Sequence, residues 1–393
     1  MRCPEAKTMW PILPRHAGDH ALRWPAPTIL CLALLSVVLL AGCGKKEPLR
    51  LGYTGPLSGK GVGLGIGGRD GALLAVEEVN RTGGIGGRRV ELLVEDDGQK
   101  RDQAVTAARL LMDREVVAII GNMTSAMSVA TAPLATERQT LMFSPTSSTE
   151  ELTRQDDYFF RLHAPIGDYA RRLADFLYHE RGVRAVAVII DRGNDAYTGS
   201  FLASFQTQFT AAGGTVTTTV DFVSAAAPQF HDLTRKALRS RPQGLLLLAN
   251  APDSAMFAQQ VGKNGSPTLL LGSEWSATPE LLTLGGKAVD GMIFMHGIDE
   301  SDPGPTWRAF GRAFYGRFGY RPGFAAAYAY ETTRILLQAL ATDGEPRRLR
   351  ATITAIGTFA GLQGAIRIDR FGDPERGAFP LVVVNGQMQR LRK

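Results

Sequence analysis

Val116-Val-Ala-Ile-Ile-Gly-Asn-Met-Thr-Ser125 and Leu141-Met-Phe-Ser-Pro-Thr-Ser-Ser-Thr149 follow one plan. An apolar, strand-like run ends at a small residue and is followed within a few residues by hydroxyl side chains. In the first stretch a helix begins at Ser125, with Met123 and Thr124 just before it. In the second, Ser144-Pro145 closes the strand, and Thr146, Ser147, Ser148 and Thr149 precede Glu150-Glu151. Hydroxyls and free backbone N–H groups at a helix N-terminus suit a carboxylate, although ordinary N-capping uses the same residues. On successive strands of one sheet, the two clusters would sit side by side.

The flanking sequence continues the alternation of strand and helix. On the N-terminal side, 50–53 reads as a strand and 68–80 as a helix, with Leu73, Val76 and Val79 at helical spacing. A strand at 90–95 and a helix at 102–113 complete a βαβαβ lobe with the two opening stretches. The pattern then restarts. Helices at 168–181, 197–212, 230–239 and 253–263 alternate with strands at 185–191, 215–222, 244–249, 268–271 and 292–295. Two long helices follow at 305–318 and 324–341. The chain closes with strands at 366–369 and 380–384, read as one hairpin with its turn at Asn385-Gly386. The fold class is α/β, two doubly wound parallel-sheet lobes, which bind ligands at strand C-termini or in the cleft between halves. Leu271-Gly-Ser-Glu274-Trp275 puts an acid and a large aromatic at such a strand end in the second half.

The first 42 residues are of another kind. Arg2, Lys7, Arg15 and Arg23 precede the apolar run Thr28-Ile-Leu-Cys-Leu-Ala-Leu-Leu-Ser-Val-Val-Leu-Leu40, and Ala41-Gly42-Cys43 leads into Gly44-Lys-Lys-Glu47. The run, about 13 residues, is shorter than the roughly 20 that span a bilayer. With a basic start and small residues at its end, it has the layout of a secretory signal. Residues 1–42 are expected to leave on export, with 43–48 as a tether. Cys3 and Cys31 go with the signal and Cys43 stands in the tether, so the folded body beyond it keeps no thiol for a disulfide, a metal site or a nucleophile. Removing 4 basic and 2 acidic residues leaves 40 basic against 36 acidic, a net +4. No Lys/Arg block is interleaved with aromatics, and no nucleic-acid partner is expected.

The catalytic inventory is thin. Beyond the signal stand four histidines, His163, His179, His231 and His296, scattered and without metal-ligand spacing, and there is no GxSxG elbow. No enzyme activity, metal or cofactor is expected. Gly63-Leu-Gly-Ile-Gly-Gly68 matches GxGxxG, but Pro56 and a glycine-rich stretch separate it from the first strand. The nearest ribose-type acids, Glu95 to Asp97, lie about 30 residues on rather than about 20. The stretch reads as a flexible loop leading into the helix at 68.

Several motifs, taken in order, resemble the leucine/isoleucine/valine-binding family of ABC-transporter receptors, the type I periplasmic binding proteins. They are Gly55-Pro-Leu-Ser-Gly59, Val79-Asn-Arg-Thr-Gly-Gly-Ile-Gly-Gly87, Glu95-Asp-Asp97, Ile120-Gly121, Ser144-Pro145, Asp191 with Tyr197, and Tyr330-Glu331. Leu40-Ala-Gly-Cys43 likewise resembles the bacterial lipobox, in which the cysteine is lipidated and becomes the mature N-terminus. The resemblance implies two lobes joined by three crossings, here near 163–165, Gly297 and Gly364. The lobes would be 48–163 with 298–364, and 164–297 with 365–393. It implies that Ser125 and Ser148 hold an amino acid's carboxylate within the 146–148 hydroxyl cluster that includes Ser147. The backbone at Thr146 would accept from the ligand's ammonium, Glu274 would pair with it, and Tyr197 would act as a lid. Leu64, Met123 and Asn250 would contact its side chain. Asn250 is polar where some members have an aromatic, and Thr124 replaces a cysteine used elsewhere in a disulfide. The implied partners are a small amino-acid-like ligand, permease and ATPase subunits, and a membrane reached through the lipid anchor, with the protein exported and monomeric. The competing reading on the same fold is a sensory or regulatory binding protein for amides or aromatic acids.

Overall fold

The structure, a computed structural model, describes residues 46–391. The expected signal at 1–42 and the expected lipid site at Cys43 lie outside the described residues. Among those described, no helix is long and apolar enough to cross a membrane.

The first sheet is built from β1 (Leu49–Gly55), β2 (Val90–Asp96), β3 (Ala118–Ile120), β4 (Leu141–Ser144) and β5 (Phe159–Arg161). Its order is β2-β1-β3-β4-β5, all parallel. Helices α1 (Val62–Arg81), α2 (Arg101–Asp113) and α3 (Ser125–Arg138) make the crossovers. Strands β3, β4 and β5 are buried at every position, which explains their apolar runs. The three-residue β5 carries too little periodicity to be read from sequence.

The chain leaves this sheet at 162–165 and enters a second one. There α4 (Ile166–Asp175), β6 (Ala185–Asp191), α5 (Asp195–Ala211), β7 (Thr215–Phe222), α6 (Phe230–Leu238), β8 (Gly244–Leu248), α7 (Ala251–Lys263), β9 (Leu269–Gly272), α8 (Pro279–Gly285) and β10 (Ile293–His296) follow one another. After His296 the chain returns to the first lobe with α9 (Pro305–Phe318), α10 (Phe324–Asp343) and α11 (Leu349–Ile356). A three-stranded antiparallel sheet comes next, of β11 (Thr358–Ala360), β12 (Ala365–Ile368) and β13 (Pro374–Glu375). Finally β14 (Phe379–Val384) and β15 (Gln387–Arg390) extend the second sheet, ordered β15-β14-β10-β9-β8-β6-β7, as an antiparallel edge. The result is an α/β protein of two doubly wound lobes joined by three crossings.

Two sequence readings are corrected. The glycine-rich stretch 63–68 is not a loop but the first turns of α1. Its glycines permit close approach: a Cβ at Gly65 would lie 1.8 Å from the Pro56 carbonyl oxygen, and one at Gly71 would lie 2.1 Å from that of Ala326 in α10. Tyr53 Oη also donates to the Gly65 carbonyl at 2.6 Å. The third crossing is not at Gly364, which lies in the β11–β12 turn where Gly361 N–H donates to the Gly364 carbonyl. Strand 366–369 therefore does not pair with 380–384, and the chain stays on the first lobe through β13. Buried Arg161 holds it there, donating through Nε to Asp373 Oδ1 at 2.7 Å, through Nη1 to the Thr149 carbonyl at 2.6 Å and through Nη2 to Thr153 Oγ1 at 2.8 Å. The last crossing falls at 376–378, where Arg376 pairs with Glu331 and lies over the Tyr328 ring, 4.8 Å from its centroid.

Candidate ligand-binding site

The C-terminal strand ends of both sheets meet around a cavity of about 300 Å³, its mouth included. From the first lobe it is lined by Leu64, Met123, Thr124, Ser125, Thr146, His163 and Phe324, and from the second by Asn194, Tyr197, Glu274 and Trp275. Each polar liner follows a strand. Thr124 and Ser125 come after β3, Thr146 after β4, His163 after β5, Asn194 and Tyr197 after β6, and Glu274 after β9. Parallel strands bring all these ends to one edge.

The first-lobe wall is a hydroxyl network. Ser148 N–H donates to Ser125 Oγ at 3.1 Å, which leaves the Ser125 hydroxyl hydrogen for another acceptor. Thr146 Oγ1 donates to the Met123 carbonyl at 2.5 Å. Ser147 lies behind the wall, its hydroxyl 2.7 Å from that of Ser128. Ser148 is buried at the same depth, and its Oγ makes no hydrogen bond among the described residues. Asn250 is not at the cavity either: its Oδ1 caps α7 by accepting from Asp253 N–H at 2.9 Å, and its Nδ2 donates to Asp253 Oδ2. Thus Leu64, Met123, Ser125, Thr146, Tyr197 and Glu274 converge on the cavity, whereas Ser147, Ser148 and Asn250 stand behind or beside it.

Glu274 is 2% exposed and is bracketed by two imidazoles. His163 Nε2 meets Glu274 Oε2 in hydrogen-bond contact, His296 Nδ1 is 3.1 Å from Oε1, and Gly297 N–H donates to Oε1 at 3.2 Å. Burial opposes the ionised carboxylate, but the imidazoles of His296 and His163 and the Gly297 N–H outweigh it, holding Glu274 below the usual carboxylate range. His296 is pushed the other way, because its burial disfavours the imidazolium more than Glu274 favours it. Neither histidine was legible as a site residue, since 111 residues separate His163 from Glu274. One signal was available: each stands at the start of a crossing between lobes, and crossings run side by side.

The lobes touch directly. Ala126 N–H at the start of α3 donates to Asn194 Oδ1 at 3.0 Å. Lys60 Nζ, in the turn before α1, reaches Asp253 Oδ1 at 2.9 Å and the Ser224 carbonyl at 3.0 Å. The conformation is closed.

The family model for the periplasmic binding proteins matches residues 48–387, nearly the whole described chain. The chain belongs to this family. Its relatives include a Leu/Ile/Val-binding protein homolog of Brucella melitensis, 27% identical over 252 residues, which are 64% of this chain and 68% of the relative. A leucine-binding protein from Thermotoga maritima MSB8 superposes with a TM-score of 0.81 at 26% identity, over 88% of this binding protein and 98% of that chain. A solute-binding protein of an ABC transporter from R. palustris, solved with benzoate, shares the fold with a TM-score of 0.80 at 18% identity, over 88% and 95% of the two chains. The resemblance read from the motifs is borne out, and the relatives are binding proteins rather than enzymes.

Proposed function

We propose that this protein is the extracytoplasmic receptor of an ABC importer, closing its lobes on a small carboxylate, an amino acid or a close analogue. The observation that carries this reading is the cavity itself, shared by both lobes and offering opposite chemistry from each. Ser125 with the start of α3 presents hydroxyl and backbone donors suited to a carboxylate. Glu274, Tyr197 and Trp275 face it from the other lobe, while Leu64, Met123 and Phe324 give an apolar wall for the rest of the ligand. A ligand touching both lobes stabilises the closed state through its differential affinity. In this reading residues 1–42 are removed on export and Cys43 carries the lipid that keeps the receptor beside its permease. More than one acyl chain is needed for a stable anchor.

Titration calorimetry with amino acids and small carboxylic acids tests the receptor, with solution scattering to follow closure. Binding with a reduced radius of gyration is expected; a site that binds without change of shape refutes closure. Intact-mass analysis of membrane-extracted protein tests the anchor, and an unmodified Cys43 or a retained apolar run would defeat it.

A further inference from the structure

We propose that His163 sets the ligand class by occupying Glu274, so that the cavity selects a small monocarboxylate without an α-ammonium over the matching α-amino acid. This deepens the receptor reading and rests on it.

The hydrogen-bond geometry carries the argument. His163 Nδ1 is 2.6 Å from the Ala164 carbonyl, an atom that only accepts, so Nδ1 bears a hydrogen. Its Nε2 meets Glu274 Oε2, also an acceptor when ionised. Both ring nitrogens therefore donate, and the ring supplies the positive charge that Glu274 needs. At neutral pH His296 does not take that role: burial favours its neutral form, and its Nδ1, which accepts from Ile298 N–H at 3.0 Å, has no hydrogen to give Glu274. With Gly297 N–H on Oε1, both carboxylate oxygens are engaged by the protein itself.

The His163 ring is also held in place. Tyr169 of α4 lies with its centroid at 4.7 Å and Tyr328 of α10 at 5.7 Å, and the side chain is 3% exposed. The groups facing it are Glu274 and His296 from the second lobe and the hydroxyls of Tyr169 and Tyr328, with Arg376 over the Tyr328 ring. None of these offers a second carboxylate. An arriving ammonium would have to share Glu274 with a fixed imidazolium among buried side chains, where like charges repel strongly. A ligand with a hydroxyl, a keto group or nothing at that position meets no such conflict. Its carboxylate still finds the free Ser125 hydroxyl hydrogen on the opposite wall.

Calorimetry on matched pairs decides the matter: leucine against 4-methyl-2-oxopentanoate and 4-methylpentanoate, and phenylalanine against 3-phenylpropanoate. The purified protein should bind the deaminated member of a pair at least tenfold more tightly. His163→Phe keeps a ring between the tyrosines but removes donor and charge, freeing Glu274, and should shift the preference towards the amino acid by tenfold or more. Should that variant fail to fold, His163→Gln gives an independent reading: its amide can still donate to Glu274 but carries no charge. It should move the preference towards the amino acid in the same direction, and an unchanged preference would count against the role of His163. Equal affinity within pairs, or preference for the amino acid, overturns the role of His163 and leaves the receptor standing. Failure of every compound to bind overturns the receptor reading and this inference with it.

Discussion

Lys60→Met should loosen ligand binding from the mouth of the cleft, without touching the ligand. In the closed conformation Lys60 Nζ bridges Asp253 Oδ1 at 2.9 Å and the Ser224 carbonyl at 3.0 Å, joining the turn before α1 to the second lobe. The Asp253 side chain is 1% exposed, while that of Lys60 is 40% exposed. A charge-assisted hydrogen bond is worth roughly 1.5–3 kcal/mol, but an exposed pair falls to about 0–1 kcal/mol through solvent screening. Half-exposed Lys60 falls between these limits, at about 1–2 kcal/mol for the bridge, present only while the lobes are closed. Apparent affinity scales with the closed fraction, so the loss corresponds to roughly 5- to 30-fold in Kd. Calorimetry and stopped-flow dissociation, with the tightest member of the carboxylate panel, should show faster release and a nearly unchanged on-rate. The double variant Lys60→Met with Asp253→Asn should recover part of the loss, because it no longer buries an unpaired carboxylate. An unchanged Kd, or a change confined to the on-rate, would refute the bridge as a closure contact.

Further outcomes follow from buried charges elsewhere. Asp373→Ala strips Arg161 of its carboxylate partner while leaving the guanidinium 1% exposed. It should cost about 3–5 kcal/mol in urea denaturation; a loss under about 1 kcal/mol would show that the β11–β13 sheet is held by something else. Burial raises Asp97 from 3.8 to about 6, against the hydrogen bonds from Gln99 N–H and Asn122 Nδ2 that favour its charge. Between pH 4 and 6 the folded state therefore keeps a proton that the unfolded chain has released, and stability falls as pH rises through that window, by up to about 3 kcal/mol from this group. Denaturation from pH 4 to 7 should show a shallower decline in Asp97→Asn than in the parent; parallel profiles would show that Asp97 does not carry the effect.

Local sequence determined a good deal of this protein. The buried strands announced themselves because a strand covered on both faces needs apolar residues at every position, and their repetition with amphipathic helices implied two α/β lobes. Hydroxyls a few residues after β3 and β4 and the acid after β9 were legible as strand-end residues, because the chain itself keeps them there. Tertiary structure decided the rest. That Gly63 to Gly68 is helix depends on a carbonyl of the preceding loop passing 1.8 Å from where a Gly65 Cβ would be, a closeness no pattern within the segment records. The third crossing moved from 364 to 376–378 because Arg161, two hundred residues earlier in the chain, holds Asp373 on the first lobe. Asn250 became a helix cap rather than a pocket wall because its nearest donor is Asp253 N–H, on its own helix. The charge of the cavity was also beyond the sequence. His163, Glu274 and His296 lie on different segments, and only the convergence of two crossings beside the end of β9 turns a single acid into a carboxylate already occupied by the protein.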